Sequence, residues 1–396
     1  MQRNPLIFAY TIVLLFIGTY SLYAVPSHVM NNTISNNILI PPPGVVVHNS
    51  KAITHNYVGS PSIVVLEDGT YVVSHDYFGQ GRLFDSFVYR STDKGKTWTQ
   101  CAFIPKFGWG SLFTRGKELY LLGVRPKGDM GYGDAVIMKS LDGGYTWSKP
   151  ENEKTGLLLD GFYHCAPVPV VFYKGKIWRA MEDHQQVDGW GNFYAFMMSV
   201  KEDSDLLDAE NWIFSNQLKF DSNWLEGASA WLEGNAVIAK DGGVKDVLRV
   251  HYSDDDIAAI VDVSDDGKEI SFNPQTGFAN LPGASKKFTI RYDEVSQKYW
   301  TISNYVLPHD RGGNNERTRN TLALSWSDNL KDWHVKDILL TDSDIAKHGF
   351  QYVDWLIEND DIIAVVRTAW EDETGSADNQ HNANYLTFHR FPEFRK

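Results

Sequence analysis

The chain has 396 residues, with 37 Lys and Arg against 50 Asp and Glu, a net charge of −13. That balance disfavours a nucleic-acid partner or an anionic membrane surface, and two cysteines, Cys101 and Cys165, are too few for a disulfide framework. Aromatic residues are plentiful (13 Trp, 19 Tyr, 21 Phe) and no long stretch has the apolar spacing of an amphipathic helix, which predicts an all-β protein with rings available for sugar stacking.

In chain order, Arg3 precedes an uncharged run from Leu6 to Ala24, and a polar, Pro-containing stretch ends it. This predicts an export signal over residues 1–24, with a retained anchor as the alternative because the run is long enough to span a bilayer. A polar tether is expected over 25–40 and one catalytic domain over 41–396. A cleaved signal implies a secreted protein, extracellular or periplasmic, without stable membrane insertion. An oxidising compartment would permit one bridge between Cys101 and Cys165 without requiring it.

Repetition organises the rest. Ser91-Thr92-Asp93-Lys94-Gly95-Lys96-Thr97-Trp98 returns as Ser140-Leu141-Asp142-Gly143-Gly144-Tyr145-Thr146-Trp147, both fitting the Asp-box pattern S-x-D-x-G-x-T-W. Degenerate copies stand at Ser264-Asp265-Asp266-Gly267-Lys268 and at Ser327 to Trp333. The motif is a hairpin device: the carboxylate takes turn N–H groups, Gly supplies positive φ and Trp packs beneath. Between the boxes, apolar strands flank turns near Asp68-Gly69, Arg115-Gly116, Lys174-Gly175, Asp241-Gly242, Val295-Ser296 and Asn359-Asp360. Their separations, roughly 50 to 65 residues, match four-stranded propeller blades with loops. Six periods are visible, and Val45 to Val47 is expected to pair with the strand near Asn384 to Phe391, closing the ring and removing exposed sheet edges.

Four positions could carry chemistry. His55 precedes Val58-Gly59-Ser60-Pro61-Ser62, His75 ends a strand in Ser74-His75-Asp76-Tyr77, Tyr163 opens Tyr163-His164-Cys165-Ala166-Pro167, and Arg179 lies in Trp178-Arg179-Ala180-Met181-Glu182-Asp183. Taken singly, each also fits a structural role: a hydrogen-bonded strand-end His, a packing Tyr, an Arg neutralised by Glu182 or Asp183.

Together with Trp231-Leu232-Glu233-Gly234-Asn235, Gly349-Phe350-Gln351-Tyr352-Val353-Asp354-Trp355 and Asn382 to Arg390, these segments resemble the propeller-type ulvan lyases, within the wider Asp-box, sialidase-like propeller group. The resemblance covers nearly the whole mature chain. It implies a single-domain β-propeller of seven blades, one more than the visible periods. It also implies an active site of two histidines about twenty residues apart and a tyrosine followed sixteen residues on by an arginine, as are His55 and His75, and Tyr163 and Arg179. A related α-L-rhamnosidase family uses a histidine near the mature N-terminus, where this chain has Asn49 beside His48. Some ulvan lyases hold zinc through His and Cys; His184 has no evident Cys partner, so no metal or cofactor is expected.

In β-elimination the C5 proton of a uronate leaves from beside a carboxylate. A guanidinium such as Arg179 neutralises that carboxylate through paired bonds, a histidine (His75 or His55) serves as base or orients the sugar, and Tyr163 serves as acid, and as base too if both transfers occur on one face of the sugar. Arg317 and Arg319 are expected to meet sulfate groups. The implied function is a monomeric polysaccharide lyase cleaving ulvan, an anionic sulfated polysaccharide, between sulfated rhamnose and a uronate. The alternatives are a propeller glycoside hydrolase, rhamnosidase-like or sialidase-like, and a non-catalytic sugar-binding propeller.

Overall fold

The computed structural model describes residues 39–80, 84–128, 131–185, 191–254 and 256–396, so the expectations for the signal and for the tether up to residue 38 lie outside the described residues. Each of the six turns anticipated from sequence joins the first and second strands of one blade. The first strands are Ser62–Val65, Gly108–Arg115, Val171–Tyr173, Ala230–Ile238, Thr289–Asp293 and Gly349–Glu358, for blades I to VI in order. Among the described residues the ring therefore has six blades, which corrects the seven implied by resemblance.

The apparent surplus at the chain ends belongs to blade VI. After Gly349–Glu358 and Asp361–Ala369, its third strand is Tyr385–Phe391 and its fourth is Val45–Asn49, paired antiparallel with Val45 opposite Phe388. Blades II and III share one hydrogen-bonded sheet, because Leu157–His164 meets Lys176–Asp183 through the pairs Tyr163 with Asp183 and His164 with Glu182.

Six large apolar clusters lie in the six gaps between adjacent blades. Val64, Val72, Leu112 and Leu119 fill the gap between I and II, and Trp178, Ala180, Trp231 and Leu248 that between III and IV. Burial of each such aliphatic or aromatic side chain contributes about 1.5–3 kcal/mol, so the ring is held chiefly by blade-to-blade packing. The Asp-box hairpins join the third and fourth strands. Asp93 Oδ1 accepts from the Thr97 N–H at 2.9 Å and the Trp98 indole donates to Gly95 O at 3.1 Å. Asp142 repeats this with Thr146 at 3.0 Å, and Trp147 with Gly144 O at 3.0 Å.

A second belt, of polar groups, runs once round the inner strands. The Ser62 hydroxyl donates to Asp354 (3.0 Å) and accepts from the Leu112 N–H (3.0 Å), joining VI to I and I to II. Ser111 bonds Val168 O (3.0 Å), Glu182 accepts from the Gly234 N–H (3.0 Å), Asn235 accepts from the Ile290 N–H (3.0 Å), and Thr289 donates to Val353 O (2.9 Å). Buried backbone groups need such partners, which explains polar residues at the centre of otherwise apolar strands.

Candidate active site

Three inner strands carry a bulge near their starts, between Gly108 and Ser111, Leu232 and Asn235, and Gln351 and Asp354. At each, a residue with a side chain takes left-handed backbone: Trp109 (φ 56°), Glu233 (φ 59°) and Tyr352 (φ 54°). Such conformations are uncommon outside glycine and re-aim the side chain relative to the regular pleat. Gly234 follows one of them because a Cβ there would meet Asp246 Oδ1 at 2.1 Å. The bulges belong to alternate blades II, IV and VI.

The Tyr352 hydroxyl donates to Glu233 Oε1 at 2.9 Å. Blade V separates blades IV and VI in the ring, so this bond spans the central channel. Arg249 holds the other carboxylate oxygen at 2.9 Å and also binds Glu316 at 2.8 Å and Ser285 O at 2.9 Å. Burial alone would raise the Glu233 carboxyl, but the Arg249 guanidinium holds it below its ordinary value. Loss of water raises the Tyr352 hydroxyl, as does Glu233, while Arg249, Arg319 and Arg367 oppose that rise.

Arg319 and Arg367 complete the cluster from blades V and VI. Both are only 3% exposed, neither makes a salt bridge among the described residues, and the Nε of each lacks a hydrogen-bond partner. Arg319 donates to Gln351 Oε1 at 3.0 Å. Arg367 donates to His381 O and lies 4.7 Å over the Tyr352 ring and 4.4 Å over Phe78. Burial pushes each guanidinium down to about 10, although nearby Tyr352 works the other way. Buried cations with a spare donor and no direct ion pair, near Glu233 and, for Arg367, Asp76, can receive a further anion.

Beside Glu233 stands a second polar pair. His164 Nδ1 is 2.9 Å from Glu182 Oε2, and Glu182 Oε1 takes the Gly234 N–H. The His164 ring meets Trp109 edge-on at 4.6 Å and Phe193 at 4.8 Å. Asp76 lies nearby with both oxygens occupied, by the Ser60 N–H and the Trp109 N–H at 2.6 Å each; burial raises its carboxyl to about 6.

Of the four catalytic residues singled out from sequence, His75, Tyr163 and Arg179 lie on strands and His55 ends a 3₁₀ turn. His55 caps a 3₁₀ turn and pairs with Asp378 at 2.9 Å, half exposed. His75 is 1% exposed, donates its Nδ1–H to Asp76 O, and stacks on His48 (4.9 Å), Phe87 and Tyr89 in the gap between blades VI and I; burial lowers it to about 3. Tyr163 packs edge-on against Phe196 in the apolar cluster between blades II and III, and burial pushes it up to about 12. Arg179 is fully buried, donates to Ala180 O and, at 2.7 Å, to Ala166 O, and leaves its Nε without a hydrogen-bond partner. Among the described residues no hydrogen bond, ion pair or ring contact joins any two of these four. Arg319 belongs to the channel cluster, whereas Arg317 is exposed and contributes its carbonyl to Gln380. His184 stacks on Tyr132 at 3.9 Å, and both cysteines are free thiols.

Glu233, Tyr352, Arg249, Arg367 and His164 were not singled out from sequence. The signal was a polar residue beside the start of an apolar inner strand, Leu232-Glu233-Gly234-Asn235 and Gln351-Tyr352-Val353-Asp354. A separate cavity of about 950 Å³, lined by Val171, Tyr173, Val237, Ile290, Tyr292 and Leu356, opens toward the other ends of the inner strands and contains none of these groups.

No protein-family model matches the chain, and no curated protein matches it in sequence. Its structure is similar to an α-L-arabinanase of Penicillium chrysogenum complexed with arabinobiose, with TM-score 0.54 and 14% identity over 87% of this chain and 97% of that one. An α-L-arabinofuranosidase of Fusarium graminearum matches with TM-score 0.56 and 12% identity over 89% and 97%. Trypanosoma rangeli sialidase in complex with sialic acid matches with TM-score 0.56 and 14% identity over 89% of this chain and 57% of that one. This chain thus spans little more than half of that sialidase. At such identities the likeness is one of fold, and the fold is that of the wider sialidase-like β-propellers.

Proposed function

We propose that this protein is a retaining glycoside hydrolase acting on an acidic sugar, with Tyr352 as nucleophile and Glu233 as its base. The observation that carries this is the Tyr352 to Glu233 hydrogen bond across the channel, set against two buried arginines that make no direct ion pair among the described residues. Most glycosidases use a carboxylate nucleophile, and sialidases use tyrosine. A carboxylate on the substrate explains the difference: an anionic nucleophile would be repelled, whereas a neutral hydroxyl that passes its proton to Glu233 is not. Arg319 and Arg367 offer paired donors to that substrate carboxylate. Arg249 keeps Glu233 ionised and therefore able to accept the proton.

The structural neighbours that act on or bind sugars support a carbohydrate-active propeller, and the sialidase supports the acidic sugar. The β-elimination implied by resemblance has weaker support, because His75 and Tyr163 lie in packed gaps between blades and both terminal nitrogens of Arg179 bond backbone carbonyls, leaving only its Nε unpaired. The deciding experiment incubates the protein with ulvan and with 4-nitrophenyl glycosides of sialic acid and of uronates. Release of nitrophenol and new reducing ends without ultraviolet absorbance of an unsaturated uronate is the expected result. That absorbance, without hydrolysis, would return the assignment to a lyase.

A further inference from the structure

Resting on the hydrolase reading, we propose that His164 is the general acid and base of the reaction, held in place by Glu182. A tyrosine nucleophile still leaves the glycosidic oxygen in need of a proton, and the carboxylates around the channel are bonded elsewhere or, like Asp246 with neither oxygen paired, sealed from it by burial. Asp76 has both oxygens on backbone N–H groups, Glu316 lies between Arg249 and His251, and Asp246 is fully buried beneath Gly234. Glu182, 1% exposed, is spent on His164 and the Gly234 N–H.

His164 differs from all of these. Its Nδ1 faces Glu182, its ring is clamped between Trp109 and Phe193, and no described residue hydrogen-bonds its Nε2. The same Glu182 that orients the ring also anchors Gly234, the neighbour of Glu233, so the acid and the base share one support. His164 is near enough to Glu233 to help hold that carboxyl down. An imidazole fixed at one nitrogen by a carboxylate, with the other nitrogen free, is the standard arrangement for moving a proton both ways.

The steps balance. The Tyr352 oxygen bonds the anomeric carbon as the glycosidic C–O bond breaks; the Tyr352 proton passes to Glu233, and the Nε2 proton of protonated His164 passes to the leaving oxygen. His164 Nε2 then takes a proton from water as that water attacks the anomeric carbon. The carbon–Tyr352 bond breaks and Glu233 returns the proton to the tyrosine oxygen. The net change is hydrolysis with retention.

The test compares His164→Gln with wild type on two glycosides of one acidic sugar, a 4-nitrophenyl glycoside whose leaving group needs no acid and a methyl glycoside whose leaving group does. The expected loss in kcat/KM is about 10²-fold or more on the methyl glycoside and under about fivefold on the nitrophenyl one. Azide should restore turnover of the variant on the nitrophenyl substrate and yield a glycosyl azide with retained configuration. Equal losses on both substrates at an unchanged Tm, without azide product, would overturn the role. If His164→Gln lowers Tm, Glu182→Gln takes its place and should show the same leaving-group dependence in weaker form; leaving-group-independent loss there would equally overturn it. Failure of the underlying reading looks different: wild type would cleave neither glycoside, or Tyr352→Phe would keep full rate on both.

Discussion

Between blades VI and I, His48, His75, Tyr77, Phe87 and Tyr89 stack face to face and edge to face, while across the channel Glu233, Tyr352, Arg249, Arg319 and Arg367 meet through hydrogen bonds and charge. Both groups are largely buried and both combine tyrosine with a basic residue type. In the first, no member takes left-handed backbone despite register shifts at Val46/His48 and Val88/Tyr89, the rings lie on a packed face, and burial drives His48 to about 4 and His75 to about 3, so both are neutral at physiological pH. In the second, bulged strands turn polar side chains inward and leave charges without full partners. Left-handed backbone at the bulge, more than residue type or the bulge itself, separates the packed cluster from the polar one.

The comparison breaks most easily at Tyr352. Tyr352→Phe keeps the ring over which Arg367 lies and removes only the hydroxyl, and kcat on an acidic aryl glycoside should fall between about 10²- and 10⁴-fold at an unchanged Tm. Arg367→Met and Arg319→Met should each cost about 10²-fold in kcat/KM, equivalent to about 2.7 kcal/mol, mostly through KM. A neutral-sugar glycoside, if turned over at all, should lose much less. An equal loss on acidic and neutral sugars would mean that the arginines do not read the carboxylate.

The sealed cluster should respond in the opposite sense. His75→Phe is expected to change stability by about 1–3 kcal/mol, measured by denaturant titration, with activity per folded molecule within about twofold of wild type. A collapse of kcat at full stability would instead restore His75 to the chemistry. The same cluster predicts a pH effect. The unfolded chain protonates its histidines near pH 6.5, whereas the folded His48 and His75 resist protonation down to about 4 and about 3. Their contribution is therefore present above pH 6.5 and is lost as pH falls from there toward 4. Asp76, raised to about 6, works against this slope, because between about pH 4 and 6 the folded state retains a proton that the unfolded state releases. A His75→Phe variant should show a shallower loss of Tm between pH 6.5 and 4 than wild type. The smallest effect is expected from Arg317→Ala, under about twofold in kcat/KM, since its side chain is exposed and only its carbonyl is engaged.

The hairpins were legible in the sequence because they are local. Gly95 and Gly144 stand where the turn needs positive φ, and Asp93 and Asp142 sit four residues from the threonine they bind. The strand pairing at the chain ends followed from apolar pattern alone. The blade count from the six turns also agrees with the structure, whereas the count borrowed from resemblance does not. The site was less legible because it is not local: Glu233 and Tyr352 meet across the channel through a backbone conformation that no residue type announces. Some polar residues in the quoted segments, Ser62, Asn235 and Asp354, serve the belt that joins neighbouring blades. They carry a pattern that looks functional and is architectural.

The fourth strand of blade VI gives the molecule an order of assembly. Val45–Asn49 is the first strand of the described chain to leave the ribosome, yet its partner Tyr385–Phe391 is among the last. Until synthesis is nearly finished the early strand has nothing to pair with, and blade VI, which supplies Tyr352 and Arg367, stays open at one edge. Contacts of such long sequence separation form slowly, and an unpaired edge invites intermolecular pairing in the interval. The seam that makes the finished ring durable is thus the place where a nascent chain is most exposed to aggregation and proteolysis, and the polar cluster at the ring's centre becomes complete only when that seam shuts.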